Sequence, residues 1–389
     1  MQVIVLGGGI AGLASSILLA DQGKSVTLLE KNNLRQEQGA GIQITPNALR
    51  VIEHLGILDS FKQASDIPKS INIREIKSLK KLLSIPLQEY SDSVFKGTYH
   101  HIHRQDFIEL LSTRATELGV DIYDNERIIH IEEAKNRVSL HSESQKMYEA
   151  DILIAADGLN SVARKHLFPE YHPTFMKFSA WRTCIQIDGS TPDVFKEPNL
   201  LISKDLHLVT YPIRHDSFIN CVLISKDMEK KKESWKESAS LSEVMPLIDN
   251  TNTLVKTIFQ QSRGINKWGL FEHSLPKWYS KKIVLIGDAA HPMMPFMAQG
   301  GCAALEDSYA LSTLLKESND INSSFANFQN TRYARVRKIQ NMSLMNRHAY
   351  HQPLLLRRLI FMILHILPFI LLSRLKSIYN YDIVSSVNK

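Results

Sequence analysis

The chain has 389 residues, 44% of them hydrophobic and 22% charged, with a formal net charge of +6 and a pI of about 9.0. That balance excludes a disordered or collagenous chain, and its mild positive excess suits anionic ligands such as phosphates without indicating nucleic acid. At roughly 100–200 residues per domain the length allows two or three domains. The three cysteines, Cys184, Cys221 and Cys302, are odd in number and far apart. They form no disulfide framework and fit a reducing cytosol.

Residues 2–30 read strand, turn, helix, strand. Gln2–Leu6 is a short apolar, β-branched run with no basic region before it, so it is expected to be a strand and not a signal peptide. A glycine-rich turn follows. Ile10–Ala20 carries apolar residues at helical spacing, and Gly23 suits the position after a helix end. Ser25–Leu29 is a second strand, ending at Glu30. Helices are predicted over Pro46–Leu55, with Pro in the first turn and Gly56 beyond the end, and over Gln105–Leu118, closed by Gly119. Short alternating strands occupy 127–155. From 171 to 281 the alternation continues in longer segments, TCIQI, LHLVTYPI and FINCVLI, and reads as an antiparallel sheet. Within it, the charged run KDMEKKKESWKES is expected to be a solvated loop or helix face. A buried strand returns at Lys282, and a long helix is expected from Gly300 through Leu315.

Gly7, Gly9 and Gly12 have the GxGxxG spacing between the first strand and the first helix. Such glycines allow a tight turn, close approach of a pyrophosphate and tight helix–strand packing. The helix N-terminus adds free N–H groups and a positive dipole end. Glu30 stands where a carboxylate accepts ribose hydroxyls. Together these predict a dinucleotide site but do not distinguish FAD from NAD.

Two later motifs bear on that choice: ADGLNSVAR (Ala156–Arg164), and GDAAHPMMPFMAQGGCAALEDS (Gly287–Ser308). With the first turn they make an ordered set of three. In this set the chain resembles the class A flavoprotein monooxygenases of the para-hydroxybenzoate hydroxylase fold, from Gln2 to about Leu315. The resemblance implies FAD as cofactor and NADH or NADPH as reductant, with no separate nicotinamide domain. It implies that Asp288 binds the ribityl chain, that Asp157 and Gly158 serve FAD and NAD(P)H, and that Arg104 contacts the flavin side of the dinucleotide. Arg35 stands one place before the position of the family arginine that follows the ribose acid.

The implied fold is α/β. A Rossmann-like FAD-binding domain (1–70, 100–170, 282–345) holds an inserted antiparallel-sheet substrate domain (71–99, 171–281), and a C-terminal helical segment covers 346–389. The implied reaction is hydroxylation of a small phenolic or hydroxylated aromatic, carboxylated or not, by O2 through a flavin C4a-hydroperoxide. Such chemistry needs a base for the phenolic proton, and histidine titrates near neutral pH. His207 and Tyr211 are i and i+4 on one strand and so share a face. The HxxxYP pattern and Gln299 in AQGG look like the salicylate, 3-hydroxybenzoate and 6-hydroxynicotinate hydroxylase branch. The resemblance implies His207 as base, with Tyr211 and Gln299 orienting substrate. The alternative is a solvent-facing strand histidine with Tyr211 in the core.

His291 is the rival base, read as a structural residue of its turn. Pro295 and Gly300 are expected beside the flavin ring, and Met293, Met294, Phe296 and Met297 as an apolar wall or as ordinary packing. Cys302 is expected to be inert, and His100, His101 and His103 are not expected to bind a metal.

The apolar run Leu354–Leu372 is broken by Arg357, Arg358, His365 and Pro368. It reads as a buried or dimer-facing helix, with peripheral membrane contact as the alternative and a true span least favoured. The protein is expected to be cytoplasmic, a monomer or homodimer. Other readings of function are a flavin hydroxylase or epoxidase of a lipid-like quinolone or quinone at a membrane surface, an FAD-binding redox protein without oxygen insertion, and an NAD-only dehydrogenase.

Overall fold

The computed structural model describes residues 1–36, 40–228, 237–317 and 320–387. At its centre lies a five-stranded parallel sheet in the order Ile283–Leu285, Ile152–Ala155, Gln2–Leu6, Ser25–Leu29, Asp121–Tyr123. Val3, Ile4 and Val5 are all buried, as continuous apolar strands must be when both faces of a parallel sheet are covered. The glycine turn leaves the C-terminal end of the middle strand. The helix Ile10–Asp21 that follows is almost wholly buried. Helix Gly300–Glu317 packs on it, with Ile10 Cδ1 only 3.4 Å from where a Cβ on Gly301 would sit. The helices predicted after Pro46 and Gln105 form at Pro46–His54 and Arg104–Glu117.

The second large sheet has eight strands and draws on two parts of the chain. Its order is Glu237–Ala239, Ile265–Glu272, Thr174–Gln186, Phe218–Lys226, Leu206–Ile213, Asn199–Ile202, Ile71–Glu75, Lys81–Ile85. The expected all-antiparallel sheet needs correction. Asn199–Ile202 runs parallel to Ile71–Glu75, because a strand from the earlier segment joins the sheet edge. Most of the charged run after Lys226 lies outside the described residues. A small sheet, Gly41–Ile44 with His100–His103 and Ser65–Asp66, bridges the two large ones.

The 30-residue helix Ile321–Tyr350 continues into two shorter helices, Leu354–Ile366 and Pro368–Tyr379, bent by 84°. Helix Leu354–Ile366 is buried within the chain on one side only. Phe361 packs against Ile73, Leu83, Leu200 and Ile202 of the eight-stranded sheet. The other side, with Leu355 81% and Ile366 65% exposed, is apolar and uncovered within the chain.

Candidate active site

The glycine turn has the geometry its spacing requires. Gly7 has φ +107°, and a Cβ there would lie 2.4 Å from the Ala156 carbonyl oxygen. A Cβ on Gly12 would overlap the Gly7 carbonyl oxygen at 1.8 Å. Gly9 caps helix Ile10–Asp21 without a side-chain hydrogen bond. The first N–H groups of that helix therefore lack intrahelical acceptors and suit an anion. Glu30 follows the second strand and accepts from Gly8 N–H at 2.7 Å and Asn32 N–H at 2.9 Å, so its carboxylate braces the turn.

The later motifs converge on the same end of the sheet. Arg104 starts its helix with its guanidinium 4.0 Å from the position of a Gly9 Cβ. Asp288 sits within electrostatic reach of Arg104 and His291, with burial raising its carboxyl pKa against their pull. Asp157 is placed differently from a simple ligand. Its Oδ2 accepts from Val162 N–H (2.7 Å) and Ala163 N–H (3.3 Å) at the start of helix Val162–Leu167, while Oδ1 is buried without a hydrogen-bond partner. Gly158 holds a left-handed φ of +76°. Arg35 is exposed on a short 3₁₀ turn. The cradle that a Cβ would fill, the uncapped helix start and the nearby guanidinium fit the pyrophosphate of FAD.

Facing this end is strand Leu206–Ile213. Its even residues Leu206 and Leu208 enter the core beneath the eight-stranded sheet. His207, Val209 and Tyr211 point the other way. His207 is buried beside Phe296 (5.1 Å between ring centroids) and Tyr350 (5.7 Å), and its Nδ1 lies 3.0 Å from His351 Nε2. One imidazole donates to the other, and His207 Nε2 is left as the ring nitrogen not engaged by His351. Tyr211 stacks on His101 at 4.3 Å. Gln299 is buried and engaged, donating to Thr45 Oγ1 at 2.8 Å and accepting from Asn47 Nδ2 at 3.2 Å. It sits directly before Gly300, where the long buried helix begins.

Several of the residues expected at the site meet other surroundings. His291 is held by Asp307 Oδ2 at 2.6 Å and packs on Trp278, in keeping with a structural part. The expected apolar wall divides in two: Phe296, which adjoins His207, shares a cluster with Met294, Phe178 and Trp268, while Met297 joins Phe95 and Tyr379 with Met293 packed against them. Pro295 is exposed at the start of its 3₁₀ turn. Cys302 is buried beside Thr45, and burial pushes its thiol up to about 11. The three neighbouring histidines separate: His100 bonds Ser65 and Thr98, His103 faces Arg214 and Asp106, and His101 faces Tyr211.

His101, Tyr350 and His351 were missed in the sequence. The only local signal was His101 alternating with its neighbours on a strand. Tyr350 and His351 arrive from the end of a helix that carries no motif. That helix also fixes the loop before Gln299, with Gln340 donating to Pro292 O, Ser343 to Met294 O and Asn346 to Phe296 O.

Burial lowers the pKa of five histidines: His100 and His351 to about 4, His101 and His273 to about 3, and His207 well below its usual value. The unfolded chain then binds more protons than the folded one below about pH 6.5. The stabilisation is complete above that pH and is lost as pH falls towards 4. Each histidine costs up to about 1.4 kcal/mol per pH unit in that window. The melting temperature followed by circular dichroism should be level above pH ~7 and fall steeply between ~6.5 and ~4.5. A midpoint unchanged from pH 7 to 5 would contradict this.

A parallel sheet with a glycine turn and an uncapped helix start at its C-terminal edge, beside a separate sheet that carries a buried polar and aromatic cluster, is the arrangement of a flavoprotein oxidoreductase. The family described as "FAD binding domain" matches residues 1–324, and the chain belongs to it. Among its relatives are the FAD-dependent monooxygenase OpS4 of Beauveria bassiana, 31% identical over 91% of this chain and 86% of that one, and the 6-hydroxynicotinate 3-monooxygenase of Bordetella bronchiseptica, 30% identical over 88% and 90%. The fold matches a salicylate hydroxylase in a substrate complex, with a TM-score of 0.81, 24% identity and coverage of 100% of this chain and 97% of that one. The chain is an FAD-dependent monooxygenase, with NAD(P)H as the reductant usual for such enzymes.

Proposed function

We propose that this monooxygenase hydroxylates a small phenolic or otherwise hydroxylated aromatic, with or without a carboxylate. The observation that carries this reading is His207, buried among Phe296, Tyr350 and His351 on the strand face that also presents Tyr211. An aromatic ring suits such walls, and a histidine there can take a phenolic proton. Bound FAD, reduced by NADH or NADPH, supplies the oxygen transfer from O2. His207 acts as the base. Tyr211 orients the substrate together with His101, whose buried Nε2 has no hydrogen-bond partner. Gln299 acts by holding the start of its helix through Thr45 and Asn47.

Gly7, Gly9, Gly12 and Glu30 hold the ADP half of FAD, and Arg104, Asp157, Gly158, Asp288, Pro295 and Gly300 line its further course. Segments 71–99 and 171–281 form the substrate domain, and 1–70, 100–170 and 282–345 the FAD-binding domain. The eight-stranded sheet, which draws on both substrate segments, supports that division. The free cysteines support a reducing cytosol.

The test is a panel of phenols and hydroxylated heteroaromatic acids, with NAD(P)H consumption, peroxide and product measured together. The purified protein is expected to be yellow, and at least one compound to raise NAD(P)H oxidation with product matching reductant consumed. If no compound yields hydroxylated product, the reading falls. A larger lipid-like substrate is the second reading, favoured by the exposed apolar side of helix Leu354–Ile366, and a short-chain quinone in the same panel distinguishes it.

A further inference from the structure

The C-terminal helix pair combines two properties that the aromatic-hydroxylase reading does not use. The first is its apolar outer side. Leu355, Leu359, Met362, Ile363 and Ile366 recur at helical spacing on one face of Leu354–Ile366, and all are at least 40% exposed. Just past the bend, Phe369 at the start of the next helix is 63% exposed as well. Scattered exposed leucines are ordinary, but a contiguous patch of this kind marks an interaction surface.

The second property is charge. Between Asp320 and Asp382 there are nine Lys or Arg residues and no Asp or Glu. The whole chain carries only +6, so the rest of it is net acidic. Arg332 and Arg335 are neutralised by Glu306 and Asp307 in the interior, and Arg357 and Arg358 share Glu75. Lys338 and Lys376 remain exposed, and Lys81 is exposed on the strand against which the first helix packs.

We propose that this helix pair is a docking surface for the face of an anionic lipid bilayer. No single described helix is long and apolar enough to cross a membrane; the pair has that length and composition only taken together, but its 84° bend keeps it from forming one straight span, and the 13 residues of the first helix reach only about 20 Å. A hydrocarbon core is about 30 Å thick. The helix therefore lies in the interface with its leucine side among the acyl chains, and the exposed Lys81, Lys338 and Lys376 on the elements around it supply the attraction to anionic headgroups. A second copy of the chain suits the face less well. A two-fold interface would set this acid-free basic segment against itself, and like charges would repel. An anionic leaflet complements it. The turn Tyr350–Pro353 joins this surface to the proposed base, since its His351 hydrogen-bonds His207. The inference is independent of which compound is hydroxylated.

The test is sedimentation of the FAD-loaded full chain with phosphatidylcholine vesicles, with and without phosphatidylglycerol. Binding is expected to the anionic vesicles, to weaken with salt, and to be slight on phosphatidylcholine alone. Leu355→Glu with Ile366→Glu should lower the partition coefficient roughly tenfold or more while FAD absorbance is kept. Lys376→Glu should lower it about fivefold or more. If the double variant loses FAD, Phe369→Glu is read instead. The proposal is overturned if the wild type stays in the supernatant with both vesicle types, or if the variants bind as well as it does. A dimer in sedimentation velocity that the glutamate variants dissolve, without vesicle binding, gives the face to a second copy and also overturns it.

Discussion

Replacing His207 by Ala is expected to lower coupled hydroxylation by roughly 10²–10⁴-fold, the usual contribution of a positioned base, while NAD(P)H oxidation continues and releases peroxide. Burial holds the His207 pKa well below its ordinary value, so the ring is neutral across the working pH range, at the cost of being a weak base on its own. A phenolate formed beside it would offset part of that cost, because an adjacent negative charge favours imidazolium. His351, 3.0 Å away and partly exposed, offers the next site for the proton. The discriminating measurement is pH rescue. Without the base, turnover should recover as pH rises towards the phenol's own pKa, near 10 for an unsubstituted ring. A nitrophenol, ionised at neutral pH, should be far less affected by the substitution. If the variant hydroxylates an un-ionised phenol at neutral pH with full coupling, His207 is not the base.

The parts of the molecule legible in the sequence are those where the backbone itself is the signal. Gly7 and Gly12 could be read because no side chain fits there, and the strand before them because both of its faces are buried. Strand Leu206–Ile213 was legible through period-two alternation, which put His207 and Tyr211 on one face. The illegible parts depend on long-range packing. His351 meets His207 across 144 residues, and nothing in HAYHQP announces that contact. Gln299 carries a motif, yet its amide is taken by Thr45 and Asn47 from the other end of the domain. The apolar run near it divides in the fold, Met294 and Phe296 packing with Phe178 while Met297 packs with Phe95 and Tyr379, and no apolar composition announces that division. Helix Leu354–Ile366 left its reading open between burial, a dimer face and a membrane for a related reason. Apolar composition reports a preference for burial, and the chain has surface to cover only one side of it.

Arg332→Met is expected to destabilise the protein by about 3–5 kcal/mol, because it leaves buried carboxylates short of a counter-charge. Arg332 is fully buried, with Nε 2.8 Å from Asp307 Oδ1 and Nη1 2.7 Å from Glu306 Oε2. Arg335 covers the other side of Glu306 at 2.9 Å, but Asp307 keeps only His291 and the Gly287 N–H. These bonds reach both halves of the proposed site. Asp307 holds the turn that carries Asp288, and Glu306 accepts from Asn47, which in turn bonds Gln299. The variant should therefore lose FAD more readily as well as unfold at lower denaturant. Arg332→Lys should rescue little, since one ammonium cannot span two carboxylates as a planar guanidinium does. Adding Asp307→Asn to Arg332→Met should recover part of the loss by removing the unpaired charge. Denaturant melts of the three variants, with flavin fluorescence read alongside, decide the matter. A single Met variant that melts with the wild type would mean that the ion network does not hold the two helices, or the FAD turn, in place.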